Sequence, residues 1–229
     1  LEKFSYVQGQ FDKGEDYLKL GRHLAELDEK FNGCTNKLFY LSTPPDFYET
    51  ISLNLSNSGL SISCGGKDGF ARVLLEKPFG KDLETAQKLD FLLSELFREE
   101  QIYRIDHYLA KESLFKIIDL HRRNEMISGK WNRENILKVE IKVYEKKKID
   151  SRGNFYDGVG ALRDIGQNHL LQMLALVAMD IPEEKSSENI KKEREKVLKS
   201  LKPFEGKIEI GQYEGYLNEK GVLSDSNTE

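Results

Sequence analysis

The chain has 229 residues, enough for one large domain or parts of two, and its 38% hydrophobic and 32% charged content predicts a soluble globular protein. A net charge of −4 argues against nucleic acid as the main partner, and no apolar run approaches the length of a membrane span. Cys34 and Cys64 lack CxxC spacing, so free thiols in a reducing cytosol are expected, with no disulfide and no metal site. Leu1 in place of Met, and a C-terminal Ser224–Glu229 without a closing helix or strand, read as the ends of a piece of a longer protein.

In chain order, Phe4–Phe11 is strand-like, and Tyr17–Phe31 is an amphipathic helix with Leu20, Leu24, Leu27 and Phe31 at helical spacing, stopped by Asn32-Gly33. Leu38–Thr43 reads as a buried strand ended by Pro44-Pro45, and Phe47–Leu60 as a second helix. Ser61–Phe70 is a loop whose Cys-Gly-Gly-Lys-Asp-Gly lacks the order of a phosphate-binding motif. Ala71–Glu76 is the next strand. Lys77-Pro78 then sets a cation at its carboxyl end, before a residue at which a cis bond is affordable. Asp82 caps a helix carrying Leu89, Leu92, Leu93, Leu96 and Phe97, and Gln101–Ile105 is a third strand. This alternation predicts a doubly wound parallel sheet.

Arg104–Glu112 follows that strand and opens a helical pattern running to Asn124. On a first helical turn His107, Tyr108 and Lys111 share a face, where the free N–H groups and the dipole favour an anion. Asp106 could cap that turn or orient a histidine. Spacing alone leaves an anion cradle and a plain surface helix start equally open. His121 reads as a surface or capping residue, and Trp131 lies in a loop. Asn135–Glu145 alternates as a strand with Leu137, Val139, Ile141 and Val143 on one face; Glu145 continues that parity, and either binds something or frays into solvent. Leu170–Met179 is apolar on nearly every face, a buried helix, so the preceding His169 is a core histidine or a base. Glu183–Leu201 is a solvated outer helix and Ile208–Tyr216 a further strand.

With these pieces placed, the chain resembles the glucose-6-phosphate dehydrogenase family. The resemblance rests on Asp106-His-Tyr-Leu-Ala-Lys-Glu112, Glu76-Lys-Pro-Phe-Gly80, Tyr40-Leu-x-x-Pro-Pro45, Trp131-Asn-Arg, Arg152-Gly-x-x-Tyr-Asp157, Arg163-Asp164, Gln167-Asn-His169 and Gly211-Gln-Tyr, in the family's order. It implies an α/β fold. Residues 1–106 form a partial Rossmann-like coenzyme domain. Residues 107–229 begin an α+β substrate domain with a large, mainly antiparallel sheet. It further implies hydride transfer from C1 of glucose 6-phosphate to NADP, or to NAD, in a cytoplasmic enzyme that is a homo-oligomer when complete. His169 matches the general base, and Asp106 the carboxylate orienting it. His107, Tyr108 and Lys111 match the sugar-phosphate site, and Glu145 and Asp164 carboxylates gripping sugar hydroxyls. Lys77 matches a lysine reaching both sugar and coenzyme, Pro78 a residue shaping the crevice, and Tyr48 a coenzyme contact. Ala110 and Gly166 depart from the family pattern, and its Gly-rich phosphate loop is absent from this chain. The isolated piece is therefore expected to be inactive. A sugar-phosphate-binding fragment and another Rossmann-type sugar oxidoreductase stand as alternatives.

Overall fold

Apolar residues at helical spacing form α1 (Gly14–Lys30), which buries Tyr17 and packs Leu20 and Leu24 onto the first unit's core. Asn32 stops it with φ 53°, a left-handed conformation that asparagine tolerates. The computed structural model describes residues 4–63, 69–123, 129–184 and 186–229, and the chain divides into two units, 1–105 and 106–229.

The first unit holds a three-stranded sheet in the order β1 (Lys37–Leu41), β2 (Ala71–Glu76), β3 (Ile102–Ile105). Both pairings are parallel, with Leu41 opposite Leu75 and Glu76 opposite Ile105. Parallel neighbours need a crossover, supplied by α2 (Tyr48–Asn57) and α3 (Leu83–Leu96). Asp82 caps α3 as predicted: its Oδ1 accepts the Thr85 N–H at 2.9 Å, and Thr85 Oγ1 accepts the Asp82 N–H at 3.1 Å. Val73 and Leu75 on the central strand are fully buried, with Leu41, Ile51, Leu55, Leu93 and Phe97 around them. Among the described residues β1 is an edge strand, and it exposes Leu38 and Tyr40, so the expectation of a buried strand is corrected. After β2 the Lys77–Pro78 bond is cis, and Gly80 takes φ 120° where an added Cβ would lie 2.5 Å from the Ala86 nitrogen. Only glycine lets the turn approach α3 this closely.

Two further expectations in this unit are corrected. Residues 4–10 form no strand; they are exposed and, among the described residues, have no neighbouring strand to bond. Cys34 is disulfide-bonded rather than a free thiol; sequence spacing carries no signal for a bridge that the fold closes. Cys64, and most of the Cys-Gly-Gly-Lys-Asp-Gly turn, lie outside the described residues.

The second unit contains α4 (Glu112–Arg123), the short α5 (Gly153–Tyr156), a π-helical segment (Leu162–Leu170), α6 (Leu171–Ala178) and α7 (Ser187–Lys199). Leu176 and Met179 form its core with Leu114, Ile181, Ile190 and Val197. Asp157 ties the C-terminal stretch to α5, accepting hydrogen bonds from Tyr216 Oη at 3.1 Å, the Leu223 N–H at 3.1 Å and Ser226 Oγ. Those donors hold its carboxyl below the usual range, Ser226 first. No strand forms over 135–145 or 208–216, and the described residues contain no antiparallel sheet. Leu137 is 102% exposed and Ile210 71%. Alternation sets which face a strand would bury, but the ladder needs partner strands, and among the described residues none lies beside these segments. Among the described residues no helix is long and apolar enough to cross a membrane.

Candidate active site

Asp106 opens the second unit with a turn. Its Oδ1 accepts the Tyr108 N–H at 2.9 Å, and its carbonyl accepts the Leu109 N–H at 3.0 Å. Aspartate competes with helix geometry through such local bonds. Residues 107–110 therefore form a turn, and α4 begins only at Glu112. This corrects the expected placement of His107, Tyr108 and Lys111 on a first helical turn. The turn nevertheless gathers them. The Tyr108 ring stacks on the His169 imidazole at 4.0 Å, the His107 ring meets it edge-on at 4.7 Å, and Lys111 Nζ lies 3.8 Å from the Tyr108 centroid.

His169 and Asp164 are both buried on the π-helical segment. Residues five apart sit about 140° apart around an α-helix of 3.6 residues per turn, whereas i→i+5 bonding stacks them. The wide turn thus brings both side chains inward on one side. Gly166 lies between them, and an added Cβ there would meet Leu162 Cδ1 at 3.1 Å. Asp164 Oδ2 accepts from Arg152 at 3.0 Å.

The central contact is His169 Nδ1 to Asp106 Oδ1 at 2.7 Å, with His169 fully buried and the Asp106 side chain 12% exposed. A carboxylate accepts and cannot donate, so Nδ1 carries the proton and Nε2 the lone pair. This is the arrangement that makes an imidazole a general base. Burial first, then the charges of Glu145, Asp106 and Asp164, push the Tyr108 phenol up, which keeps it a protonated donor. Glu145 itself is exposed on an irregular segment and does not end a buried strand face, a second correction.

Asp106, His107 and His169 also place potential ligand atoms within 4.8 Å of one another, a set that could hold a divalent ion. The 2.7 Å contact between Nδ1 and Oδ1 is a hydrogen-bond length and suits a proton-transfer pair.

Lys77 and Tyr48 belong to the first unit. Tyr48 is buried and its hydroxyl donates to the Glu76 carbonyl at 2.9 Å, beside Lys77, at the carboxyl end of β2. Thr43 Oγ1, just beyond the adjacent β1, is buried with no hydrogen-bond partner among the described residues. Carboxyl ends of neighbouring parallel strands are where such sheets bind ligands, and an unsatisfied buried hydroxyl there fits a polar coenzyme.

One group escaped sequence reading. Arg194 lies on α7 among charged residues, yet it falls four after Ile190 and three before Val197, the residues that α7 packs on the core. A cation inside the thin apolar stripe was the available signal. Its guanidinium donates to Gln172 Oε1 on α6, and its Nε is buried.

A parallel β-α-β-α-β unit and a second unit carrying a buried histidine–carboxylate pair beside an aromatic, cationic turn define a class: two-unit proteins with a dinucleotide-type parallel sheet and a histidine–carboxylate pair buried in the second unit. Family models described as the glucose-6-phosphate dehydrogenase NAD-binding domain and C-terminal domain match residues 1–115 and 118–229. The chain belongs to the glucose-6-phosphate dehydrogenase family. It is 41% identical to glucose-6-phosphate 1-dehydrogenase 6, cytoplasmic, of Arabidopsis thaliana, over 100% of this chain and 45% of that protein. It is 43% identical to glucose-6-phosphate 1-dehydrogenase of Chlamydia muridarum, over 91% of this chain and 41% of that one. Its structure resembles that of a glucose-6-phosphate dehydrogenase in complex with its substrate glucose-6-phosphate, with TM-score 0.85 and 34% identity over 98% of this chain and 47% of that one. The chain thus spans less than half the length of these relatives.

Proposed function

We propose that the protein carrying this chain is a glucose-6-phosphate dehydrogenase, with His169 as general base. The observation that carries the reading is the buried 2.7 Å His169–Asp106 contact. A bound nicotinamide coenzyme, NADP or NAD, supplies the hydride acceptor. His169 Nε2 takes the proton from the C1 hydroxyl as hydride leaves C1 and the lactone carbonyl forms. Asp106 holds the tautomer and offsets the imidazolium charge. His107, Tyr108 and Lys111 hold the sugar phosphate, Lys111 by charge and Tyr108 as a donor. Glu145 and Asp164 accept from sugar hydroxyls. Lys77 reaches sugar and coenzyme, and Tyr48 and Thr43 line the coenzyme side. The exposed alternating rows at 135–145 and 208–216 pair with further strands, forming the antiparallel sheet, in a cytoplasmic homo-oligomer.

The test is coenzyme reduction by the complete gene product with glucose 6-phosphate and with glucose, using each coenzyme. Turnover that requires the phosphate is expected. Turnover of glucose equal to that of its phosphate refutes the cradle; no turnover of either refutes the activity.

A further inference from the structure

Arg152 has no place in the mechanism above, yet it makes a one-sided ion pair in the second unit. Its Nη2 donates to Asp164 Oδ2 at 3.0 Å, with the Asp164 side chain 4% exposed and the Arg152 side chain 54%. Pairs between two exposed groups hold weakly, but here the carboxylate is out of water, and a buried charge that loses its cation is costly. Asp164 shares the inward side of the π-helical segment with His169, on which Tyr108 stacks. The backbone under Arg152 is fixed. Its N–H donates to the Ile149 carbonyl at 2.9 Å and closes the turn Asp150–Arg152. Gly153 is buried, and an added Cβ there would lie 2.2 Å from the Lys220 carbonyl oxygen, so this turn is pressed against the C-terminal stretch. The guanidinium lies 5.5 Å from the Phe155 ring centroid, and among the described residues it donates to Asp164 alone.

We propose that Arg152 is a positioning residue for substrate recognition: it holds the Asp164 carboxylate in one orientation, so that Asp164 selects one hydroxyl of the sugar. This rests on the reading of Asp164 as an acceptor of sugar hydroxyls. A carboxylate has about four acceptor sites on its two oxygens, and one guanidinium N–H takes one of them. A cation on Oδ2 offsets the buried charge and fixes where the remaining sites point. Without that cation the carboxylate can rotate or lose its charge, and a hydroxyl whose proton needs an acceptor at a set position then binds less well. The described contacts of Arg152 include neither His169 nor Asp106, so the effect falls on sugar binding and leaves proton transfer in place.

The experiment is a double-mutant cycle on the complete protein: R152M, D164N and R152M/D164N, with kcat and KM measured for glucose 6-phosphate and for its monodeoxy analogues. R152M should raise KM for glucose 6-phosphate about tenfold, with kcat within about threefold of the unaltered protein. The double variant should be no worse than the poorer single one, because both substitutions remove the same interaction. One deoxy analogue, the one lacking the hydroxyl that Asp164 accepts, should show the same KM in R152M as in the unaltered protein. A bracing role alone would raise KM equally for all the sugars, or lower kcat with KM unchanged. Either result, or effects that multiply in the double variant, overturns the proposal. If circular dichroism shows that R152M does not fold, R152Q takes its place under the same criteria. D164N separates the two readings: an unchanged KM there refutes Asp164 as a sugar contact, whereas a raised KM in D164N with an unchanged KM in R152M refutes only Arg152.

Discussion

Replacing Asp106 with asparagine separates the geometry of the pair from its charge. Asp106 Oδ1 already accepts two donors, His169 Nδ1 at 2.7 Å and the Tyr108 N–H at 2.9 Å. Both select an amide oxygen at that position, so an asparagine would keep the turn and the histidine tautomer. Lost is the negative charge beside an imidazolium that exists only once the proton has moved. Two unit charges about 4 Å apart at an effective dielectric near 20 interact by about 4 kcal/mol. A neutral hydrogen bond retained in place of the charged one returns about 1 kcal/mol. The remaining ~3 kcal/mol falls on the transition state and corresponds to about a hundredfold in rate. D106N should therefore lose about 10²-fold in kcat, with KM for glucose 6-phosphate changed by no more than about threefold. Steady-state kinetics of the complete protein, with circular dichroism to confirm folding, decide it. A loss below about fivefold, or one confined to KM, would refute the assignment of Asp106 as the charge partner.

Two further predictions concern the scaffold. Lys37 and Thr35 hold the Asp28 carboxyl down at about 2, with Lys37 Nζ at 2.8 Å. A depressed folded-state pKa contributes stability above the unfolded value and loses it as pH falls toward 2. D28N should lower Tm at pH 7, with the two melting curves converging near pH 2; a gap independent of pH would contradict the ion pair. For Gly166→Ala, the neighbouring Leu162 side chain is largely exposed and free to swing from the 3.1 Å contact. The substitution should raise Tm by about 1–3 °C, through the roughly 0.5–1 kcal/mol that alanine gains over glycine in a helix. A fall in Tm would mean that the π-helical segment requires glycine.

Much of the first unit was legible because its signals are local. Asp82 marks the start of α3, Asn32 stops α1, and the apolar run Ala71–Glu76 is the central strand at its predicted bounds. The strands over 135–145 and 208–216 were not, because a period of two records a face and says nothing of which strands will lie beside it. His107, Tyr108 and Lys111 do come together in the structure, though not on the helical turn that grouped them in the sequence. Helical spacing grouped His107, Tyr108 and Lys111, but the Asp106 side chain closes a turn that gathers them without a helix. The alignment of Asp164 with His169 was out of reach, since helical templates assume 3.6 residues per turn. Arg194 was readable as a cation in the stripe of Ile190 and Val197, and the abundance of charge on α7 masked it.

The central claim is that the imidazole of His169 takes the C1 proton. Turnover of H169N in the complete protein, with binding of glucose 6-phosphate measured separately by calorimetry, tests it most directly. The account predicts a kcat lower by about 10⁴-fold or more, with the dissociation constant for the sugar phosphate within a few-fold of the unaltered protein. Turnover within about tenfold of the unaltered protein, with the sugar phosphate still bound, would contradict it.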